Sequence, residues 1–174
     1  MPVPDLAVTA AAPESVEADV LVLGVRSTDD GGVLLVPDGS GVAPVDLAAI
    51  GVSGAVGDLV RLPAGPAVAA GSLALVGVGR TADPDALRGA AAVAVRRLAG
   101  TAHVAIALPV EDDETVAAVL EGAALGAYAY TAYRDRTLAA QKAPVARVTV
   151  VGAEDAAAAV HRATAVADAV ALVK

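Results

Sequence analysis

Hydrophobic residues along this chain run first in the rhythm of strands and later in alternation with helices. Leu6 to Ala10 predicts a short first strand. Ala18 to Arg26 (ADVLVLGVR) predicts a second, whose unbroken apolar run Val20 to Val25 calls for burial on both faces and a central place in a sheet. The turn residues Asp29-Asp30-Gly31-Gly32 allow positive φ, so Val33 to Val36 is expected to return as a hairpin partner before Pro37-Asp38-Gly39 turns again. Val45 to Ile50 predicts a short helix. Asp58 to Leu62 and Ser72 to Val78 predict two more strands, joined through Pro63-Ala-Gly-Pro66.

After Gly79 the period lengthens. Asp83 suits an N-cap and Pro84 the first helical position, and Leu87, Ala91, Val95 and Leu98 mark one helix face until Gly100 stops it. His103 to Leu108 predicts a strand, and a helix follows from about Glu114 to Tyr133. This second helix stretch carries every aromatic residue of the chain, Tyr128, Tyr130 and Tyr133. Gly122 and Gly126, four apart, share a face and are expected to lie close against the sheet. Tyr130 and Tyr133 are expected to fill space at the far end, leaving Tyr128 for a contact outside the core. Ala146 to Val151 is a further strand. In the last helix Glu154 and Asp155 are expected in the first turn, and Val160, Ala163, Ala167 and Val170 form an apolar stripe. No stop signal precedes Lys174, so the chain is expected to be part of a longer one. The βαβα alternation of the second half predicts an α/β fold with a mixed sheet flanked by helices.

Composition narrows the function classes. With 174 residues, 56% hydrophobic and 18% charged, the chain can hold one core, and disorder is excluded. Its mean hydropathy of +0.65 comes from Ala and Val, not from a membrane span, because the uncharged run Leu62 to Gly79 is broken by Pro63, Gly65, Pro66, Gly71 and Gly77. No basic segment precedes an apolar run at the start, so no export signal is read and a cytoplasmic location is expected. A net charge of -8 opposes a grip on nucleic-acid phosphates, and Arg96-Arg97 and Arg134/Arg136 read as solvated helix faces. Without cysteine there is no disulfide and no thiolate chemistry.

Candidate chemistry is sparse. Gly77-Val-Gly79-Arg-Thr-Ala82 matches the loose G-x-G-x-x-A dinucleotide turn between a strand and a helix. Asp83-Pro84, however, delays the helix beyond the glycines, and Arg96, Arg97 and Leu98 stand where the ribose-binding acid belongs, so a plain strand-end turn is expected. His103 and His161 are the only histidines. Nothing places Ser15, Ser27, Ser40, Ser53 or Ser72 beside either, and no G-x-S-x-G elbow is present, so both histidines read as structural or exposed. The acidic run Glu111-Asp112-Asp113-Glu114 could draw a divalent cation, but helix capping uses the same charges more simply.

Glu121-Gly122-Ala-Ala-Leu125-Gly126-Ala-Tyr128-Ala-Tyr130-Thr-Ala-Tyr133-Arg134 resembles the helix near the end of the N-terminal domain of leucyl (cytosol) aminopeptidases, with the pattern E-G-x-x-L-G-x-Y followed by aromatics and a basic residue. Ala74 to Arg80 resembles that family's strand ending in G-x-G, and Ala163 to Lys174 resembles the helix leading into its catalytic domain. The resemblance implies an N-terminal domain over 1–152, an α/β sandwich of three layers similar to macro domains, and a helix over 153–174 leading toward an absent catalytic domain. It further implies a parent enzyme that removes N-terminal residues from peptides with two divalent metal ions (zinc, manganese or magnesium) and assembles as a homo-hexamer. The family's metal ligands and catalytic residues, including an N-T-D-A-E-G-R motif, lie in the C-terminal domain. No catalytic, cofactor-binding or metal-binding residue is therefore assigned here. Its role would be assembly, substrate access or regulation, with the C-terminal catalytic domain as partner. The alternative is an ADP-ribose or nucleotide-binding module using Gly31-Gly32 or Gly77-Val-Gly79, although the chain has no asparagine for a macro-type binding loop.

Overall fold

A computed structural model describes residues 3–36, 40–128 and 142–173. Strands β1 (Asp5–Thr9), β2 (Val20–Thr28), β3 (Gly31–Leu35), β4 (Leu59–Pro63) and β5 (Ser72–Gly79) precede helix α1 (Pro84–Arg97). Then come β6 (His103–Ala107), α2 (Asp113–Gly126), β7 (Arg147–Val151) and α3 (Ala157–Val173). The sheet runs β1-β7-β6-β2-β5-β4, with β3 on β2. Pairs β1–β7, β7–β6, β6–β2 and β2–β5 are parallel, whereas β4 on β5 and β3 on β2 are antiparallel. This is the expected mixed α/β architecture, with β2 central as its apolar run requires and Val20 to Val25 all buried.

Alternation along the strands divides the core between the two faces. Val20, Val22, Val76, Val104 and Ile106 pack with the buried sides of α1, α2 and α3. Leu21, Leu23, Leu75 and Ala105 face the other way and are covered by irregular chain through Val42, Leu47, Val52 and Ala70. Each such leucine or valine, once buried, stabilises the fold by about 1.5–3 kcal/mol. The three described α-helices thus share one layer, and the opposite layer is built from irregular chain. Within that loop layer Val45 to Ile50 forms a single turn instead of the expected helix. Asp46 Oδ1 accepts the Ala49 N–H at 3.0 Å, Val52 N–H returns to Leu47 O at 2.9 Å, and Gly51 turns away at φ +69. So short a segment cannot offset helix nucleation, and burying Leu47 and Val52 needs only the turn.

The helix starts follow the sequence. Asp83 caps α1 by accepting the Ala86 N–H at 2.9 Å, with Pro84 first in the helix. Asp112 caps α2 through a reciprocal box: its Oδ1 accepts the Thr115 N–H at 2.8 Å, and Thr115 Oγ1 accepts the Asp112 N–H at 3.2 Å. Accepting the Thr115 backbone N–H, then the Thr115 hydroxyl, holds the Asp112 carboxyl below its ordinary 3.8. A depressed carboxyl contributes stability above the unfolded value and loses it as pH falls through the folded one. Asp112→Ala is therefore expected to lower the melting temperature by a few degrees at neutral pH, and by progressively less once pH drops below 3.8. Thermal melts across that range check both statements.

Three further expectations need correction. Helix α2 ends at Gly126 with Ala127 as its C-cap, short of Tyr133; Tyr130 and Tyr133, like the Pro37-Asp38-Gly39 turn, lie outside the described residues. Glu154 and Asp155 precede α3, which starts at Ala157, and Asp155 takes the left-handed φ of +49, so neither belongs to the first turn. Last, Gly122 and Gly126 face α1, not the sheet. A Cβ on Gly122 would lie 2.1 Å from the Arg88 carbonyl oxygen, and one on Gly126 2.5 Å from that of Ala92. Val116, Val119 and Leu120 of α2 are buried in one cluster with Val104, Ile106 and Val148 of the sheet, while the glycine face meets the backbone of α1.

Candidate functional site

The glycine turns that could cradle a phosphate are filled by the chain's own backbone. At the end of β5, a Cβ on Gly77 would sit 1.9 Å from the Ala55 carbonyl oxygen, and Gly79 takes φ +82. Gly79 N–H donates to Gly54 O at 2.9 Å and Gly77 N–H to Asp58 O at 3.0 Å. The glycines thus bring the loop Gly54 to Asp58 onto the strand, and that loop takes the space a pyrophosphate would need. The N-terminal end of α1 is capped by the Asp83 carboxylate, which also accepts the Thr81 hydroxyl at 2.7 Å and would repel an anion. Gly32 serves a similar purpose: its missing Cβ admits the Val52 carbonyl oxygen at 2.7 Å.

The two histidines are not brought to one site. His161 is exposed on α3. His103 opens β6, its Nε2 2.9 Å from Thr149 Oγ1, while its backbone N–H and that of Ala102 donate to Asp19 Oδ2 at 2.9 and 3.1 Å. Burial first, and then the Arg147 guanidinium, hold the His103 imidazole below its ordinary 6.5. The unfolded chain therefore takes up a proton that the folded one resists, so stability from this group is complete above 6.5 and is lost as pH falls through the lowered value. His103→Gln is expected to flatten the pH dependence of urea unfolding just below 6.5, whereas a slope identical to wild type would contradict that assignment. Ser72 hydroxyl donates to Asp19 O at 3.1 Å and Ser15 to Ala12 O at 2.7 Å, so both bond to backbone oxygens rather than to an imidazole. In the acidic run, Asp112 is engaged in its cap. Among the described residues no group of three or more His, Cys, Asp or Glu is placed to share a metal ion.

Glu121 is a junction that the sequence did not reveal. Only 17% exposed at its side chain, it lies on α2 with Oε2 3.4 Å from Arg88 Nε of α1 and Oε1 3.1 Å from Arg162 Nε of α3. Arg88 also pairs with Asp85 one turn earlier. A carboxylate between two guanidiniums, beside two glycines that admit backbone, fastens three helices to one another.

A cleft of about 560 Å³ opens where β1, β6 and β7 end in parallel. β6 stops at Ala107 opposite Leu23, β3 meets β2 from Gly24 onward, and Leu108 and Leu35 close over Gly24, where a Cβ would lie 2.9 and 3.4 Å from them. Its walls come from Ala10 to Glu14, from Leu35, Val36 and Ser40, from Ala107 to Glu111, and from Val151 and Gly152. Ligands of open α/β sheets bind at this edge. The small residues Ala10-Ala-Ala-Pro13 and Gly152 after strand ends were the available signal, and it becomes legible only with the strand order. Glu14 is fixed at the rim: its own N–H and then the Gly41 N–H hold its carboxyl below the ordinary 4.5, and Ser40 hydroxyl donates to it at 3.3 Å.

Comparison with known proteins matches residues 46–137 to the family described as cytosol aminopeptidase family, N-terminal domain. The chain is 50% identical over 176 residues to a probable cytosol aminopeptidase of Leifsonia xyli subsp. xyli, covering 98% of this chain and 34% of that relative. It is 45% identical over 178 residues to the one of Clavibacter michiganensis subsp. michiganensis, with 98% and 35% covered. Among solved structures, a mutant of tomato leucine aminopeptidase superposes with a TM-score of 0.74 at 18% identity, over 97% of this chain and 37% of that one, and shares the fold. The chain thus spans about a third of the length of the curated relatives it matches.

Proposed function

The chain belongs to the cytosol aminopeptidase family, whose N-terminal domain it matches, and on that premise we propose that it is the non-catalytic N-terminal part of a metal-dependent aminopeptidase. The match over residues 46–137 carries this reading, together with relatives of which the chain spans only a third. Residues 1–152 form the body of the domain, and 153–174 lead toward a catalytic domain in the same polypeptide. Two divalent ions, of zinc, manganese or magnesium, would belong to that domain. The donor set of the described residues fits no such centre, because their carboxylates are dispersed into caps and ion pairs. The whole enzyme would release N-terminal amino acids from peptides, work in the cytoplasm and assemble as a homo-hexamer, with this domain serving assembly or regulation. No described helix is long and apolar enough to cross a membrane. A nucleotide-binding role has less support, since the chain's own carbonyls fill the faces of Gly32 and Gly77.

The purified chain is expected to release no leucine from a leucyl substrate with added manganese or zinc. Metal-dependent release that follows the protein through purification would overturn the reading. A gene that stops directly after the Lys174 codon, with no metallopeptidase sequence, would overturn the parent enzyme.

A further inference from the structure

The cleft at the ends of β1, β6 and β7 has a chemistry that none of the functions above uses. Its walls are apolar side chains and backbone, Ala11, Pro13, Leu35, Leu108 and Val110 among them. Among the described residues its only charged lining side chains are two acids, Glu14 and Glu111. The start of α2 lies beside it, but the positive end of that helix is answered by Asp112, Asp113 and Glu114. Glu14 does not wave in solvent: Ser40 and Gly41 grip its carboxylate, and Gly41 lacks the Cβ that would lie 3.1 Å from Glu14 Cγ. A carboxylate has about four acceptor positions, so the grip leaves room for another donor.

We propose that this cleft binds small primary ammonium compounds bearing an apolar substituent, with Glu14 as the fixed counter-charge and Glu111 as a second acid at the rim. The ammonium donates to Glu14, and the substituent lies against Leu35, Leu108 and Val110. A volume of about 560 Å³ accommodates a ligand from an alkylamine to the amino-terminal end of a short peptide. Anionic ligands, nucleotides included, meet two like charges there and no cation among the described lining residues. A preorganised carboxylate in a partly dry site gains more from a charge-assisted hydrogen bond than a mobile surface acid does. The inference stands on the cleft alone and holds whatever enzyme the rest of the polypeptide forms.

Amide NMR of the 174-residue chain tests it, with isoamylamine, leucinamide, N-acetylleucinamide and isovalerate as probes. Isoamylamine and leucinamide are expected to shift the amides of Ala11, Glu14, Val110 and Gly152 in a saturable way, while the acetylated and anionic analogues leave them in place. Tighter binding of leucinamide assigns the amino terminus of a peptide as the preferred form, and equal binding assigns simple amines. Glu14→Gln with Glu111→Gln is expected to weaken amine binding about tenfold or more. Glu111→Gln alone, whose side chain bonds to no other described residue, gives a smaller loss and serves as the readout if Glu14→Gln fails to fold. Unmoved amides, equal shifts from N-acetylleucinamide or isovalerate, or an affinity indifferent to the substitutions would each overturn the proposal.

Discussion

Gly77→Ala is expected to lower the stability of the fold by about 2–4 kcal/mol, read as a shift in the urea midpoint without a change in slope. The added methyl would lie 1.9 Å from the Ala55 carbonyl oxygen, 2.7 Å from its carbon and 2.8 Å from the Gly54 carbonyl carbon, all backbone atoms that cannot rotate aside. The loop would have to lift. Lifting it breaks the bonds from Gly77 N–H to Asp58 O and from Gly79 N–H to Gly54 O, and it draws Gly54 off the backbone of Arg26 and Ser27. Strand β5 is buried from Leu73 to Gly79, so those donors would be left without water. A binding role for this G-x-G turn predicts a different result, lost ligand affinity with little change in the midpoint.

Gly122→Ala is expected to cost about 1–3 kcal/mol, although alanine favours a helix interior over glycine by about 1 kcal/mol. The methyl would meet the Arg88 carbonyl oxygen at 2.1 Å, its carbon at 2.9 Å and its Cα at 3.0 Å. Only separation of α1 from α2 relieves such a clash. Separation stretches the Glu121–Arg88 pair, already 3.4 Å, and opens the layer where Ala90, Ala91, Ala123 and Ala124 are buried. Small residues on both helices permit that close approach, and no larger side chain is available to fill a gap once they part.

The succession of strands and helices along the chain, the hairpin at Asp29 to Gly32, and the start of α1 at Asp83-Pro84 could be read from the sequence because each rests on local chemistry: turn glycines, a cap, an apolar run. The partner of the Gly122 and Gly126 face could not. Spacing says that both glycines share a face, but whether a sheet or a helix meets it depends on how α2 packs in three dimensions, and the backbone of Arg88 and Ala92 makes that neighbour α1. Glu154 and Asp155 looked like residues of a first turn because periodicity does not register the left-handed Asp155 that delays α3 to Ala157. The cleft was illegible for a related reason. Its walls come from four separate strand ends, and only the order β1-β7-β6-β2 brings Ala10, Leu35, Leu108 and Gly152 together. Glu121 was quoted as part of a family pattern, and the structure supplies its physical use, the link from Arg88 to Arg162.

Glu121, Gly122 and Gly126 therefore work as a clamp between helices. Its most direct test compares two alanine-for-glycine substitutions inside helices, at Gly122 and at Gly89, where an added Cβ meets nothing within 4 Å. In chemical denaturation of both variants beside the unaltered chain, the clamp predicts that Gly89→Ala raises stability by about 0.5–1 kcal/mol while Gly122→Ala lowers it by about 1–3 kcal/mol. Two stabilised variants would contradict the clamp and return the glycines of α2 to an exposed face.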